Sequence, residues 1–213
     1  EHSEENEGRC AHPETAEEMR ERIDEYQEAG DSIGGSVAFE ARGVPRGLGA
    51  PRFDSFPARL GQALLAVPAS TGFEYGLGRD AREVTGKERN EDWEFPEGEE
   101  DPDPTPVGND HGGLQGGITT GQPIYGELTL HAPTSIPKTQ RTADWETGEE
   151  KEIQVVGRHD PVLPPRAVPV VESMLYLTVL DFMLLGGRIN PDRLDDNPGE
   201  YDTPYHPSSP RDD

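Results

Sequence analysis

The sequence predicts a mixed fold of helices and half-buried strands, on three observations. Residues 15–29 carry apolar side chains at helical spacing. Apolar residues alternate at 36–42, 73–77 and 124–130, and Val168–Leu185 is one long apolar segment.

In chain order, Thr15 and Glu18 form a capping-box pattern, and Gly30 is placed to stop the first helix. Ala16, Met19, Ile23 and Tyr26 fall on its apolar stripe. Glu17, Arg20, Glu21 and Asp24 make a solvated face. The strand at 36–42 puts Val37, Phe39 and Ala41 on one side. A Gly/Pro-rich loop runs from Gly43 to Asp54, and a short helix follows from Pro57 to Leu65 with proline in its first turn. Phe73, Tyr75 and Leu77 alternate again. The acidic stretch 79–110 holds Pro96, Pro102, Pro104 and Pro106 and reads as a surface excursion.

Gly112–Gly121 has five glycines in ten positions, and a strand follows with Ile124, Gly126, Leu128 and Leu130 on one face. Residues 151–156 make another strand. A membrane span needs about 20 predominantly apolar residues. Val168–Leu185 has Pro169 near its start and Glu172 and Asp181 inside, which favours a buried core helix. Gly186 and Gly187 end it. Residues 188–213, with Pro198, Pro204, Pro207 and Pro210, are expected to be a mobile acidic tail.

Composition narrows the function classes. Asp plus Glu number 43 against 19 Lys plus Arg, a formal charge of −24, so nucleic acid and anionic membrane surfaces are excluded as general partners. One cysteine, Cys10, excludes a disulfide framework or a cysteine zinc site, and six histidines lie without metal-ligand spacing. Hydrophobic residues are only 31% of the chain, as in disordered proteins. The acid is concentrated at 1–28, 88–103 and 190–213, however, while 33–78 and 112–139 are rich in glycine, proline and apolar residues. Only three cations are lysine (Lys87, Lys138, Lys151) and the rest are arginine, which pairs carboxylates in bidentate fashion. A salt-adapted globule accounts for both features.

Three segments could carry chemistry. Gly112–Gly121 lacks the Gly-Lys-Ser/Thr end of a phosphate-binding P-loop, and a strand follows it where the dinucleotide fingerprint needs a helix. It is either a turn needing positive φ or a backbone that approaches a ring or phosphate closely. Ala132-Pro133-Thr134-Ser135 offers two hydroxyls with Lys138 nearby: an anion site or a plain polar turn. Gly157-Arg158-His159-Asp160-Pro161 puts a fixed cation, an imidazole and a carboxylate in consecutive positions. The alternative there is a surface turn with a local Arg–Asp pair.

Taken together these segments resemble chorismate synthase. The resemblance rests on Asp31-Ser32-Ile33-Gly34-Gly35, Gly47-Leu48-Gly49 with Pro51 and Phe53-Asp54, and the stretch Asn109–Gly121. It continues through Pro133-Thr134-Ser135-Ile136, Gly157–Pro161, and Arg166-Ala167-Val168-Pro169, in family order. It implies an α+β fold with helices layered between antiparallel sheets, a homotetramer, and a cytoplasmic lyase dependent on reduced FMN. The implied reaction is 1,4-anti elimination of phosphate from 5-enolpyruvylshikimate 3-phosphate to give chorismate. The implied FMN contacts are Pro68, Ala69, Gly116, Ala132, Pro133, Thr134, Ser135, Ile136 and Arg158. Asp160 and His159 are the implied catalytic residues, with Asp160 near N5 of the flavin. Many family members carry lysine where Ala132 stands, and Lys138 is the candidate substitute.

The acidic dressing resembles halophilic archaeal members. The family's Gly-x-Ser-His-Gly segment is not in this sequence, so residues 1–187 look like the C-terminal portion of the enzyme. This chain alone is then expected to be inactive. The substrate and flavin are anionic, and Lys138, Arg141, Arg158 and Arg166 would offset the protein's own charge at the site. A non-catalytic acidic scaffold module is the alternative, distinguished by failure to retain FMN.

Folding should depend on salt, because self-repulsion at a charge of −24 opposes compaction and a Debye length of about 3 Å at 1 M removes most of it. Circular dichroism across a KCl titration should show melting rise with salt. Identical melting in dilute buffer and molar KCl would refute salt adaptation.

Overall fold

A computed structural model describes residues 4–50, 52–95, 98 and 104–189. The first helix, α1, spans Pro13–Glu28. It begins two residues before the expected Thr15, because Pro13 supplies a preset φ at the first helical position and His12 is the N-cap without a side-chain bond. Ala16, Met19, Ile23 and Tyr26 are half-buried, as the stripe predicts, but no residue of α1 is fully buried. Gly30, at φ +62°, follows its end.

Strand β1 is Gly35–Ala41, with Val37 buried and Phe39 and Ala41 half-buried. Helix α2, Phe56–Leu65, buries Phe56, Leu60, Gly61 and Leu64 along one side. Strand β2, Ser70–Tyr75, stops short of Leu77 at two glycines, Gly76 and Gly78, both with positive φ. The 79–110 stretch is not a bare excursion. It contains a 3₁₀ turn at Gly78–Arg82, the one-turn helix α3 at Gly86–Arg89, and strands β3 (Trp93–Glu94) and β4 (Thr105–Pro106) paired antiparallel. A full capping box does occur here: Thr85 Oγ1 accepts from the Glu88 amide, and Glu88 Oε2 accepts from the Thr85 amide.

The glycine segment folds into a two-stranded hairpin, β5 (Leu114–Gln115) and β6 (Ile118–Thr119). Its two-residue turn is Gly116-Gly117 at φ +62° and +88°, the left-handed geometry a tight hairpin turn demands. Strand β7, Ile124–Leu130, buries Ile124, Leu128 and Leu130 and is the middle strand of a sheet ordered β1–β7–β2. Strands β8 (Gln140–Ala143) and β9 (Glu150–Ile153) form an antiparallel hairpin, so the strand expected at 151–156 ends three residues early. Asp144 shapes its turn, accepting from the Glu146 and Thr147 amides and from Lys151.

Helix α4, Pro164–Leu185, starts four residues before Val168, with Pro164-Pro165 in its first turn and Pro169 inside. Only one stripe of it is buried: Ala167, Val171, Leu175, Thr178 and Phe182. Val170, Tyr176, Leu177, Leu180 and Leu185 are exposed, so the expectation of a buried core helix holds for a single face. By length and composition α4 is also the one described helix that could cross a membrane. The tail expected at 188–213 lies, from residue 190 onward, outside the described residues.

The chain separates into two compact units. The first comprises residues 1–39, 65–73 and 127–172, and its buried apolar residues are Val37, Val67, Leu128, Leu130, Ala167 and Val171. The second comprises the described residues of 40–64, 74–126 and 173–189. Its core holds Leu48, Phe56, Leu60, Leu64, Leu114, Ile124, Leu175 and Phe182, with Phe56 stacked on Phe182 at 5.0 Å between ring centroids. The β5–β6 hairpin is locked within this unit: Thr119 Oγ1 donates to the Pro45 carbonyl (2.6 Å) and accepts from the Leu48 amide (2.9 Å).

Phe56 is 0% exposed, so Phe56→Ala should cost about 3–5 kcal/mol. Denaturant unfolding in molar KCl measures it; a loss under about 1 kcal/mol would show that the Phe56–Phe182 stack is not part of a packed core.

Candidate functional site

The first unit gathers all but one of the site residues that the sequence singles out; Gly116 is in the second. Two loops carry all of these but Pro68 and Ala69, and a third loop braces both. Residues 31–35 connect α1 to β1, residues 131–138 follow β7, and residues 157–161 lead into α4. The 31–35 loop holds the other two. Ser32 Oγ donates to the Pro133 carbonyl (2.5 Å), and Lys138 Nζ donates to Asp31 Oδ2 (2.6 Å). On the other side the Ile33 amide donates to the Pro161 carbonyl (2.9 Å).

Gly34 explains why this loop can approach so closely. A Cβ there would lie 2.9 Å from the Leu130 carbonyl oxygen and 3.2 Å from the Ala132 nitrogen, both backbone atoms that cannot yield cheaply. Further bonds set the shape of 131–138. The Ile136 amide donates to the Thr134 carbonyl, and Gln154 Nε2 donates to the Pro137 carbonyl. Thr134 and Ser135 stay exposed, while Ala132, Pro133 and Ile136 are half-buried. Pro68 and Ala69 come to the same end of β7, because the His131 amide donates to the Ala69 carbonyl (3.0 Å). Ala69 sits at φ +68°, a left-handed conformation that costs a residue with a Cβ about 1–2 kcal/mol.

The local Arg158–Asp160 pair of the alternative reading does not form. Asp160 is held by Arg166, from the first turn of α4, with Arg166 Nη1 at 2.8 Å from Oδ2. The second oxygen, Oδ1, has no partner among the described residues. The cations expected to act together are also mostly engaged: Lys138 with Asp31, Arg141 with Glu150, and Arg166 with Asp160. Arg158 is exposed and pairs with no carboxylate among the described residues. Next to it, His159 Nε2 is buried without a hydrogen-bond partner. Gly116 is exposed, with open space where a Cβ would stand.

Asp31 and Ser32 were visible in the sequence only as a motif, with no role attached. The acid beside a hydroxyl, at the stop of α1, was the available signal. Lys138 and the Ser32 amide both favour the charged form of Asp31 and hold its carboxyl below the usual aspartate range.

Comparison with known proteins bears on this arrangement. A family model described as chorismate synthase matches residues 1–184. The chain belongs to the chorismate synthase family. It is 75% identical over 219 residues to a chorismate synthase of Halorubrum lacusprofundi, covering 100% of this chain and 55% of that protein. With the Halobacterium salinarum chorismate synthase it shares 76% identity over 217 residues, 99% of this chain and 55% of the relative. Methanosarcina barkeri has a chorismate synthase 45% identical over 183 residues, 86% of this chain and 49% of that protein. A solved structure, "Crystal Structure of Chorismate Synthase", superposes with a TM-score of 0.69 at 28% identity, covering 86% of this chain and 47% of that one. The chain thus spans about half the length of the curated chorismate synthases it matches. The halophilic sources among them accord with the acidic, lysine-poor composition.

The Asp31–Lys138 pair should make the loop anchorage acid-sensitive. A depressed carboxyl contributes stability that is present above the ordinary aspartate range and lost as pH falls through the folded value. Asp31→Asn should therefore melt below wild type near pH 6 and converge with it by about pH 2. Parallel melting curves over that range would remove the pair from the loop's stability.

Proposed function

We propose that this chain forms part of a chorismate synthase that removes phosphate and a ring hydrogen from 5-enolpyruvylshikimate 3-phosphate in a 1,4-anti elimination. One observation carries the reading to this site. In a protein of charge −24, the 157–161 loop leaves Arg158 unpaired beside a carboxylate that has one free oxygen. An uncompensated cation suits an anionic ligand, and a free carboxylate oxygen suits proton removal.

The residues present fit FMN as the cofactor. Arg158 would take the charge of an anionic oxygen, and the exposed Thr134 and Ser135 hydroxyls would donate beside it. Pro68, Ala69, Ala132, Pro133 and Ile136 would present backbone and apolar surface to the ring. Reduced FMN supplies electron density that is lent and recovered, so no net oxidation occurs. Asp160 Oδ1 accepts the ring proton as the substrate's C–O bond to phosphate breaks and a new C=C bond forms. Arg166, bonded to Oδ2, fixes the direction of the carboxylate. His159, between Arg158 and Asp160, is placed for the same ligands. The pairing with Asp31 assigns Lys138 first to holding its loop; its remaining ammonium donors could still meet a phosphate.

Residues 1–187 are proposed as a portion of one chorismate synthase domain. The family match to residue 184 and the end of α4 at Leu185 support that boundary. A cytoplasmic homotetramer goes with the same reading.

In a full-length enzyme that contains this chain, Asp160→Asn should lower turnover by about two orders of magnitude or more while leaving FMN affinity nearly unchanged. Arg158→Ala should instead weaken FMN or substrate binding. Steady-state kinetics and FMN titration separate the two patterns. Near-normal turnover in Asp160→Asn would take this carboxylate out of the reaction, and a surface turn predicts no kinetic effect from either change.

A further inference from the structure

Two independent features meet at adjacent residues of the 157–161 loop. Arg158 has no carboxylate partner among the described residues, while Lys138, Arg141, Lys151 and Arg166 are each paired. His159 has a buried Nε2 with no hydrogen-bond partner, one of only two such side-chain nitrogens among the described residues. The other, Arg89 Nη1, belongs to the second unit.

A buried polar nitrogen left unpaired is costly, and native proteins seldom keep one without a use. His159 is half-buried overall, and its ring lies beside Gly157, where a Cβ would stand 3.5 Å from Nε2. The loop backbone is fixed at its far end by the Ile33–Pro161 bond, and the next side chain, Asp160, is fixed by Arg166. The imidazole is therefore presented from a braced segment, next to a free guanidinium.

We infer that His159 is an anion-binding residue, whose Nε2 takes its missing partner from a phosphate monoester oxygen that Arg158 also holds. The inference rests on the functional reading above. Both the neutral Nε2–H tautomer and the imidazolium donate from this nitrogen to an oxygen, so the contact does not require a charged ring. The imidazole adds direction where the exposed Arg158 supplies charge. A phosphate monoester occurs both in FMN and in the enolpyruvylshikimate substrate, and either could supply the oxygen.

The test compares wild type, His159→Ala and His159→Gln in molar KCl. Fluorescence titration follows FMN and riboflavin binding, and substrate binding is followed in the FMN-loaded protein. Loss of a hydrogen bond to a charged group should weaken the affected ligand by about tenfold or more. His159→Gln, which keeps an N–H donor, should recover much of that loss. His159→Ala should not melt below wild type without ligand, since Nε2 has no partner to lose. If the oxygen comes from the flavin, FMN affinity falls and riboflavin affinity does not. If it comes from the substrate, FMN affinity holds and substrate affinity falls. Equal losses for FMN and riboflavin, or no loss for FMN and substrate alike, would overturn the inference while the functional reading stands. A wild-type protein that binds neither FMN nor the substrate would overturn both.

Discussion

The loop Asp31–Gly35 is the joint on which the arrangement of the first unit depends. It is short, and it grips two segments far from it in sequence by different means. Ser32 and Asp31 hold residues 131–138 through a backbone carbonyl and an ammonium. Ile33 holds residues 157–161 through its amide. Gly34 has no side chain between these contacts, and backbone atoms of Leu130 and Ala132 occupy the space one would fill. Without the close approach, neither the Thr134-Ser135 hydroxyls nor the Arg158-His159-Asp160 series would have a fixed mounting. Binding groups held by braced backbone lose less entropy when a ligand arrives.

Charge is organised around the same joint. In so acidic a chain many cations are paired with carboxylates: Arg20 pairs with Glu17 and Asp24, Arg22 with Glu25, and Arg42 with Glu40. Such exposed pairs add little stability singly and are screened by salt. Their consequence for function is to consume positive charge that would otherwise attract anions over the whole surface. Arg158 escapes because the nearest acid in sequence, Asp160, is taken by Arg166. The pairing thus does two things at once, orienting a carboxylate and leaving a guanidinium free.

The glycine segment shows how one motif can leave two roles open. Five glycines suggested either a turn or a backbone surface for a ligand. The structure makes most of the segment a hairpin with close internal packing, with Thr119 bonded to Pro45 and Leu48. Gly116, at the tip, is exposed, with open space where a Cβ would stand.

What the sequence determined by itself was what short-range physics controls. Alternation placed β1 and β7, because one face of each strand is buried and a period of two is visible in the residues. Proline in a first turn marked α2, and helical spacing found the half-buried stripe of α1. The consecutive cation, imidazole and carboxylate at 158–160 could be read directly, as could the acidic surface. β8 was not legible, since Gln140-Arg141-Thr142-Ala143 buries nothing fully and so carries no apolar signal. The early start of α4 hid behind a double proline, which is compatible with a first helical turn but does not announce one. Only the tertiary structure decided who pairs with whom. Asp31 meets Lys138 and Arg166 meets Asp160 because strands and helices end at particular points in space. An ion pair or a buried orphan nitrogen depends on distances across the fold, and residue spacing along the chain does not contain them.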